Sequence, residues 1–116
     1  MYSRISINDK DKERIKDYII NNPYKNNTIR QLEFDKAIHD DVNNFTLVLS
    51  GYISAAFERM GNDYDRYDFI LIKGNEIFDL SCISFHKDGC IKIVHCSGYT
   101  GFEDAVIIRA VRELIH

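Results

Sequence analysis

The chain has 116 residues, of which 45% are hydrophobic and 28% charged, a balance typical of one globular domain over residues 1–116 and not of a disordered chain. Its net charge is −3, and residues 31–66 hold seven acidic and three basic side chains. This argues against direct nucleic-acid binding, because such proteins present basic surfaces. No apolar run is long enough to cross a bilayer and the first residues lack the apolar stretch of a signal peptide, so we expect a cytoplasmic protein.

Two helices are predicted in the first third of the chain. Residues 9–21 follow Asn8, a residue type that commonly caps a helix N-terminus, and they carry an apolar stripe through Ile15. Residues 29–39 follow Thr28 and have Gln three positions after it, which is the spacing of a capping box.

A third helix is predicted over residues 43–60. The short run 45–49 could by itself be a strand, but apolar residues recur at steps of three and four from Val42 to Met60. That period favours a helix ending at Gly61, apolar nearly all round as a buried core helix is.

The period then changes to that of strands. Residues 67–73, 76–86 and 90–96 alternate as strands do, and Gly74 with Asn75 suits a two-residue type II′ hairpin turn. A last helix closes the chain, with Thr100 as its predicted N-cap. The sequence therefore predicts an α+β fold: three helices, then a three-stranded antiparallel β-meander, then a C-terminal helix.

Both faces of the predicted meander are apolar. Pairing through the Gly74–Asn75 turn sets Leu71 opposite Phe78, on a face with Phe69, Leu80, Cys82 and Val94. The opposite face would carry Ile70, Ile72, Ile77, Ile83, Phe85, Ile91 and Ile93. We expect helices of the same chain to cover both faces, with a partner or a second copy in a homodimer as the alternative.

Residues 81–96 hold all three cysteines and two of the four histidines, which makes them a candidate metal site. With 87–89 as the hairpin loop, Cys82, His86, Cys90 and Cys96 share a face but form two pairs about 13 Å apart. With a two-residue loop they divide between the faces. Because one zinc ion needs its ligands within about 2.3 Å, we expect no metal site and no cofactor, and cysteines that pack as small apolar residues.

Catalysis has little support in the sequence. His39 lies beside two carboxylates, but adjacent helical residues do not face each other. Ser50 and Ser54 lack the glycine-flanked elbow of serine hydrolases. We therefore predict a non-enzymatic protein with no catalytic residues.

The segment 61–68 alternates acidic residues with tyrosines and is the best candidate for a binding surface. It lacks the spacing of a calcium loop, whereas tyrosine and arginine are favoured at protein interfaces. The predicted partner-binding residues are Asp63, Tyr64, Asp65, Arg66 and Tyr67. The alternative is a solvated loop whose tyrosines fold back onto the core.

In size, acidity and its order of helices, β-meander and closing helix, the chain resembles the small inhibitor proteins of phages and mobile elements, anti-CRISPR proteins among them. The resemblance rests on layout alone. It implies a protein-binding inhibitor or adaptor that blocks a nuclease or another nucleic-acid-processing enzyme of bacterial defence. The alternative is a winged helix-turn-helix regulator, because three helices followed by a hairpin give that order of elements.

Overall fold

The computed structural model describes residues 1–21, 36–57, 63–94, 96 and 98–115. In these ranges six strands form one antiparallel sheet, in which every strand lies beside its neighbours in sequence. The elements in chain order are β1 (Tyr2–Ile5), α1 (Asp9–Asn21), β2 (Ala37–Asp40), β3 (Phe45–Phe57), β4 (Asp63–Lys73), β5 (Glu76–His86), β6 (Ile91–Ile93) and α2 (Asp104–Ile115). Neither helix in the described ranges is long and apolar enough to cross a membrane.

The predicted arrangement of three helices, a three-stranded meander and a closing helix is wrong. The predicted third helix is a strand, since 45–57 form β3 and pair with both β2 and β4. In the predicted second helix, 37–39 belong to β2. Residues 29–35 and 58–60 of those two predictions lie outside the described residues. The coarser α+β class holds, with a sheet larger than predicted.

The first helix is confirmed. Asn8 caps it, because the backbone N–H of Asp11 donates a 2.8 Å hydrogen bond to the Asn8 side-chain oxygen. Ile15 is fully buried on the apolar stripe. The stripe packs α1 against the sheet, together with the partly buried Tyr18 and Ile19.

The β4–β5 hairpin is also confirmed, with the predicted register beside its turn. Lys73 pairs with Glu76, and Leu71 pairs with Phe78. Gly74 has φ 58°, whereas Asn75 is not among the described residues with positive φ, which fits a type II′ turn.

Each face of the sheet packs against one helix. The first face packs against α2, which contacts β1, β2, β3 and β6. Its core is formed by Ile38, Phe45, Leu47, Leu49, Phe69, Leu71, Phe78, Leu80 and Ile83, with Ile107, Ala110, Val111 and Leu114 of α2. The second face packs against α1 through Ala37, Val48, Ile70 and Ile72. Helices of the same chain therefore cover both faces around residues 69–72 of β4.

Two β-bulges flank Asp68 and divide the sheet. On one side of Asp68, the register shifts by one residue between Leu49 and Gly51 of β3. On the other side it shifts between Leu80 and Ile83 of β5. We call 45–49, 69–73 and 76–80 the inner half of the sheet, and 51–57, 63–67, 83–86 and β6 the outer half.

The bulge in β5 corrects the predicted faces. Ile83, Phe85, Ile91 and Ile93 were expected opposite Leu71, but they pack in the same core as Leu71. One extra residue in β5 reverses the alternation beyond Leu80, so the side chains that follow change face. The alternation of apolar and polar residues in β5 does not indicate this insertion.

A side chain closes the β2–β3 turn. The buried Asp40 carboxylate accepts hydrogen bonds from the backbone N–H groups of Val42 and Asn43, at 2.9 and 3.0 Å, and from the Asn43 amide. Burial alone would raise the pKa of Asp40. The hydrogen bonds from Asn43 and Val42, together with the positive N-terminus, outweigh burial and hold that pKa below its ordinary value.

The closing helix starts later than predicted. It begins at Asp104, and the carbonyl of Glu103 accepts the first helical bonds, so Glu103 and not Thr100 occupies the N-cap position. The hydroxyl of Thr100 instead accepts a 3.2 Å hydrogen bond from the N–H of Phe102, two residues on. Thr100 therefore stabilises the loop before α2.

Candidate protein-interaction surface

The five predicted partner-binding residues all lie in one strand, whereas only Tyr67 was predicted in a strand. They open β4, which is paired with β3 on one side and β5 on the other. Because strand side chains alternate, Asp65 and Tyr67 lie on the first face, whereas Tyr64 and Arg66 lie on the second. Asp63 pairs with Phe57 through the backbone, and its side chain lies outside the described part of the chain.

On the first face, the outer half presents an aromatic patch formed by Tyr52, Tyr67 and Phe85. The Tyr67 ring lies between the other two, with ring centroids 4.7 Å from Tyr52 and 4.9 Å from Phe85. Tyr67 also stacks on the buried Phe69 at 6.2 Å, which joins the patch to the core of the inner half. Tyr52 is 43% exposed, and the other two rings are half-buried. A rigid aromatic surface therefore reaches solvent here.

The patch has an acidic border. Burial raises the pKa of the Tyr67 hydroxyl, and Tyr52, Asp65 and a hydrogen bond with Tyr52 raise it further. The Asp65 carboxylate is thus close enough for its charge to act on Tyr67. The raised pKa keeps the Tyr67 hydroxyl protonated at neutral pH, and the acidic side chain beside it is that of Asp65.

The second face of the outer half carries polar pairs. The Arg66 guanidinium donates to both carboxylate oxygens of Asp68, at 3.2 and 3.3 Å. Tyr64 packs against His86, with ring centroids 5.4 Å apart. Tyr64 and Arg66 therefore belong to a different surface from Tyr67, and a partner seated on one face does not touch all five predicted residues.

Among the described residues, one serine–histidine pair has the distance of a catalytic arrangement. The Ser84 hydroxyl lies 2.9 Å from Nε2 of His86, the distance of a nucleophile and its base. Ser84 is only 1% exposed, however, and its hydroxyl also lies 3.5 Å from the carbonyl of Lys92. A hydroxyl enclosed in this way offers a substrate no approach, so the pair stabilises the β5–β6 hairpin.

The cysteine–histidine hairpin adopts the three-residue loop. His86 donates its backbone N–H to the carbonyl of Cys90 at 2.9 Å, and Gly89 has φ 87°. Cys90 is exposed, and the half-buried Cys96 thiol donates to the carbonyl of Gly98. Among the described residues, no group of three or more His, Cys, Asp or Glu side chains is placed to hold a metal ion.

Two residues of the patch were missed by the prediction of partner-binding residues. Tyr52 was assigned to a helix, and Phe85 was assigned to the wrong face. A signal for Tyr52 existed in the alternation of Phe45, Leu47 and Leu49 and in the Gly51 that follows, since glycine weakens a helix. No signal marked the bulge that moves Phe85.

Comparisons with known proteins give no indication of function. No protein-family model, no curated protein and no solved structure matches the chain. Within the described residues, the aromatic patch brings the partly exposed rings of Tyr52 and Tyr67 together beside the carboxylate of Asp65.

Proposed function

We propose that this protein is a non-enzymatic binding module that occupies the surface of a protein partner through its aromatic patch. One observation carries the proposal: the Tyr67 ring is held between Tyr52 and Phe85 while Tyr52 remains 43% exposed. Tyrosine is enriched at protein interfaces because it offers a large contact area and loses little conformational entropy when it is fixed.

Preorganisation supports a role in binding. Three ring contacts and a hydrogen bond already hold Tyr67, so little side-chain freedom remains for an incoming partner to remove. Two paired strands, β4 and β5, supply two of the three rings, and an adjacent strand supplies the third. A site on paired strands holds its geometry better than a site on a loop.

The acidic border points to a partner with a basic surface. Asp65 lies beside Tyr67, and the exposed carboxylates of Glu103 and Asp104 lie at the start of α2, which covers the same face. Opposite charges across an interface speed association and exclude wrong partners. An inhibitor or adaptor that blocks a nucleic-acid-processing enzyme, in the manner of anti-CRISPR proteins, fits this charge, because such enzymes carry basic grooves.

The winged helix-turn-helix alternative is not retained. Its recognition helix would lie within residues 43–60, and 45–57 of that segment are the strand β3.

The test is affinity capture of the tagged protein from a lysate of the organism that encodes it, with and without nuclease, followed by mass spectrometry. A captured protein is then purified, and its dissociation constant is measured for the wild type and for Tyr52→Ser/Tyr67→Ser. Ile20→Ser/Val42→Ser is the matched control, since it removes two exposed apolar side chains from α1 and the β2–β3 turn, outside the patch.

We expect a nuclease-resistant protein partner whose binding weakens about 30-fold or more in the tyrosine variant and is unchanged in the control. A partner that binds both variants equally would contradict the proposal, as would loss of all partners after nuclease treatment. Light scattering is run on the same samples. A dimer that the tyrosine variant converts to a monomer would mean that the patch binds a second copy of the chain and not another protein.

A further inference from the structure

A groove adjoins the aromatic patch on the first face. It lies between β6, the loop that precedes α2, and the first turns of α2, and its volume is about 290 Å³. The described residues that line it are Ile93, Cys96, Gly98, Tyr99, Thr100, Phe102, Glu103, Asp104 and Ile107.

The groove has an apolar floor and an acidic rim. The floor is formed by Ile93, Ile107 and the Cys96 thiol. At the rim lie two exposed carboxylates, those of Glu103 and Asp104. None of the described residues that line it is basic. Burial raises the pKa of the Cys96 thiol, and the charge of Asp104 raises it further, so the field of that carboxylate reaches the groove wall.

Lys73 is a basic group beside the groove, and it is already engaged. Its ammonium donates to the carbonyl of Thr100 at 3.3 Å and lies 4.9 Å from the centroid of the Phe102 ring. Lys73 therefore fixes the loop that forms one wall of the groove. It does not neutralise either rim carboxylate through an ion pair.

The groove and the patch are continuous. Ile93 pairs with Ile83, and Ile91 pairs with Phe85 of the patch. All four side chains pack in the core of the first face. A partner seated on Tyr67 and Phe85 thus extends over β6 towards the groove.

We propose that the groove receives an arginine side chain of the protein partner. This inference rests on the proposed function and specifies the chemistry of the partner. The aliphatic stem would lie along the apolar floor, and the guanidinium fork would meet the carboxylates of Glu103 and Asp104. Tyr99 is 84% exposed at the rim and offers a ring on which a planar guanidinium stacks. Arginine fits better than lysine because its charged group is planar, has five donors and is less strongly hydrated.

The test is a nuclear magnetic resonance titration of the ¹⁵N-labelled protein with the peptide acetyl-Gly-Arg-Gly-amide. Acetyl-Gly-citrulline-Gly-amide is the matched peptide, with the same shape and no charge. We expect saturable shifts of the backbone amides of residues 98–104 with the arginine peptide and binding at least about tenfold weaker with the citrulline peptide.

Two protein variants localise the effect. Glu103→Gln/Asp104→Asn should bind the arginine peptide at least about tenfold more weakly than the wild type. Glu13→Gln/Asp17→Asn removes the same total charge from exposed positions of α1, on the opposite face of the sheet, and should bind it as the wild type does. Equal binding of the two peptides, or full binding by Glu103→Gln/Asp104→Asn, would overturn the proposal.

A second measurement on the unmodified sequence covers the case in which the groove variant does not fold. Cys96 lies in the groove wall, and the exposed Cys90 is an internal reference. The rate of thiol labelling is measured with a cationic and an anionic methanethiosulfonate. The ratio of the cationic to the anionic rate should be larger at Cys96 than at Cys90. The arginine peptide should slow labelling of Cys96 and not of Cys90. Equal ratios at the two thiols would overturn the proposal.

The results also separate this inference from the proposed function. If the arginine peptide saturates the groove while Tyr52→Ser/Tyr67→Ser keeps its partner, the role of the patch is overturned and that of the groove is supported. If the tyrosine variant loses its partner while the arginine peptide fails to bind, the groove alone is overturned.

Discussion

The two halves of β4 have different surroundings. In the inner half, Phe69, Ile70, Leu71 and Ile72 are all buried, alternately under α2 and α1. In the outer half, the side chains from Tyr64 to Tyr67 are all half-buried, and they are aromatic or charged. One strand thus provides core packing at one end and a partly exposed surface at the other. The change occurs at Asp68, between the two bulges.

The difference teaches that exposure in the outer half coexists with strand pairing on both sides. Both halves of β4 are paired with β3 and β5, although the pairing with β3 shifts register once more in the outer half, between Ile53 and Ala56. The tyrosines reach solvent because of where α2 crosses the sheet, and not because the strand ends. Substitutions in the inner half should therefore act on stability, and those in the outer half on binding.

The largest effect on stability is expected from Leu71→Ala. Leu71 is fully buried in the first-face core, and truncation of a buried leucine costs about 2–5 kcal/mol. Tyr67→Ser should cost about 1–2 kcal/mol, because its ring is only half-buried. Urea unfolding curves measure both values. Equal losses of unfolding free energy would remove the distinction between the halves.

A smaller loss is expected from Asp40→Ala, at the β2–β3 turn. The change removes an acceptor of three hydrogen bonds in a buried site and should lower the free energy of unfolding by about 1–3 kcal/mol. Val42→Ser, which keeps the backbone N–H that bonds to Asp40, is the control and should have almost no effect. Wild-type stability in Asp40→Ala would show that water replaces the carboxylate without loss.

The contribution of Asp40 should depend on pH. Its pKa is lower in the folded protein than in the unfolded chain, so its stabilising effect is present above the unfolded value of about 4 and is lost as pH falls through the folded value. The stability difference between wild type and Asp40→Ala should therefore be constant near neutral pH and shrink in acid. Unfolding curves between neutral pH and about pH 3 test this. A difference that grows in acid would contradict the sign of the shift.

Two glycines of the loop before α2 give a finer comparison. Gly98 and Gly101 both have φ 86°, a conformation that costs a residue with a side chain about 1–2 kcal/mol. A Cβ at Gly101 would lie 2.8 Å from the Lys73 ammonium, whereas one at Gly98 would make only ordinary contact with Phe78. Gly101→Ala should therefore lower the free energy of unfolding more than Gly98→Ala does, because it also weakens the hydrogen bond from Lys73 to the carbonyl of Thr100. Equal losses would mean that this bond contributes nothing.

The smallest effect on stability is expected from Tyr52→Ser, below about 1 kcal/mol, because the ring is already 43% exposed. Thermal unfolding of this variant beside Tyr67→Ser measures the contrast. A loss as large as that of Leu71→Ala would make Tyr52 part of the core and would weaken its assignment to a binding surface.

The sequence predicted the local features that neighbouring residues determine. The Asn8 cap, the Gly74–Asn75 turn and the β5 bounds all follow from residues close in the chain. It failed for β3, because apolar residues fall on both faces of this strand and their spacing also satisfies the three-and-four period of a helix. The choice between them is made by pairing with β2 and β4, and those partners are distant in sequence.

The candidate surface was predictable only in part. Tyr67 and Asp65 were identified from their composition, and they do lie on one face. The grouping with Tyr64 and Arg66 assumed a loop, and strand alternation separates them. Finding Phe85 beside Tyr67 required the β5 register beyond the bulge, which tertiary packing determines.

The most direct test of the division between the halves is one pair of measurements on Tyr67→Ser with a purified partner. Its dissociation constant and its free energy of unfolding are determined together, each relative to the wild type and to Ile20→Ser/Val42→Ser. We predict a loss of binding of about tenfold or more with a folded, only modestly destabilised protein. Unchanged binding despite the measured loss of stability would contradict the account and would make the outer half a part of the core alone.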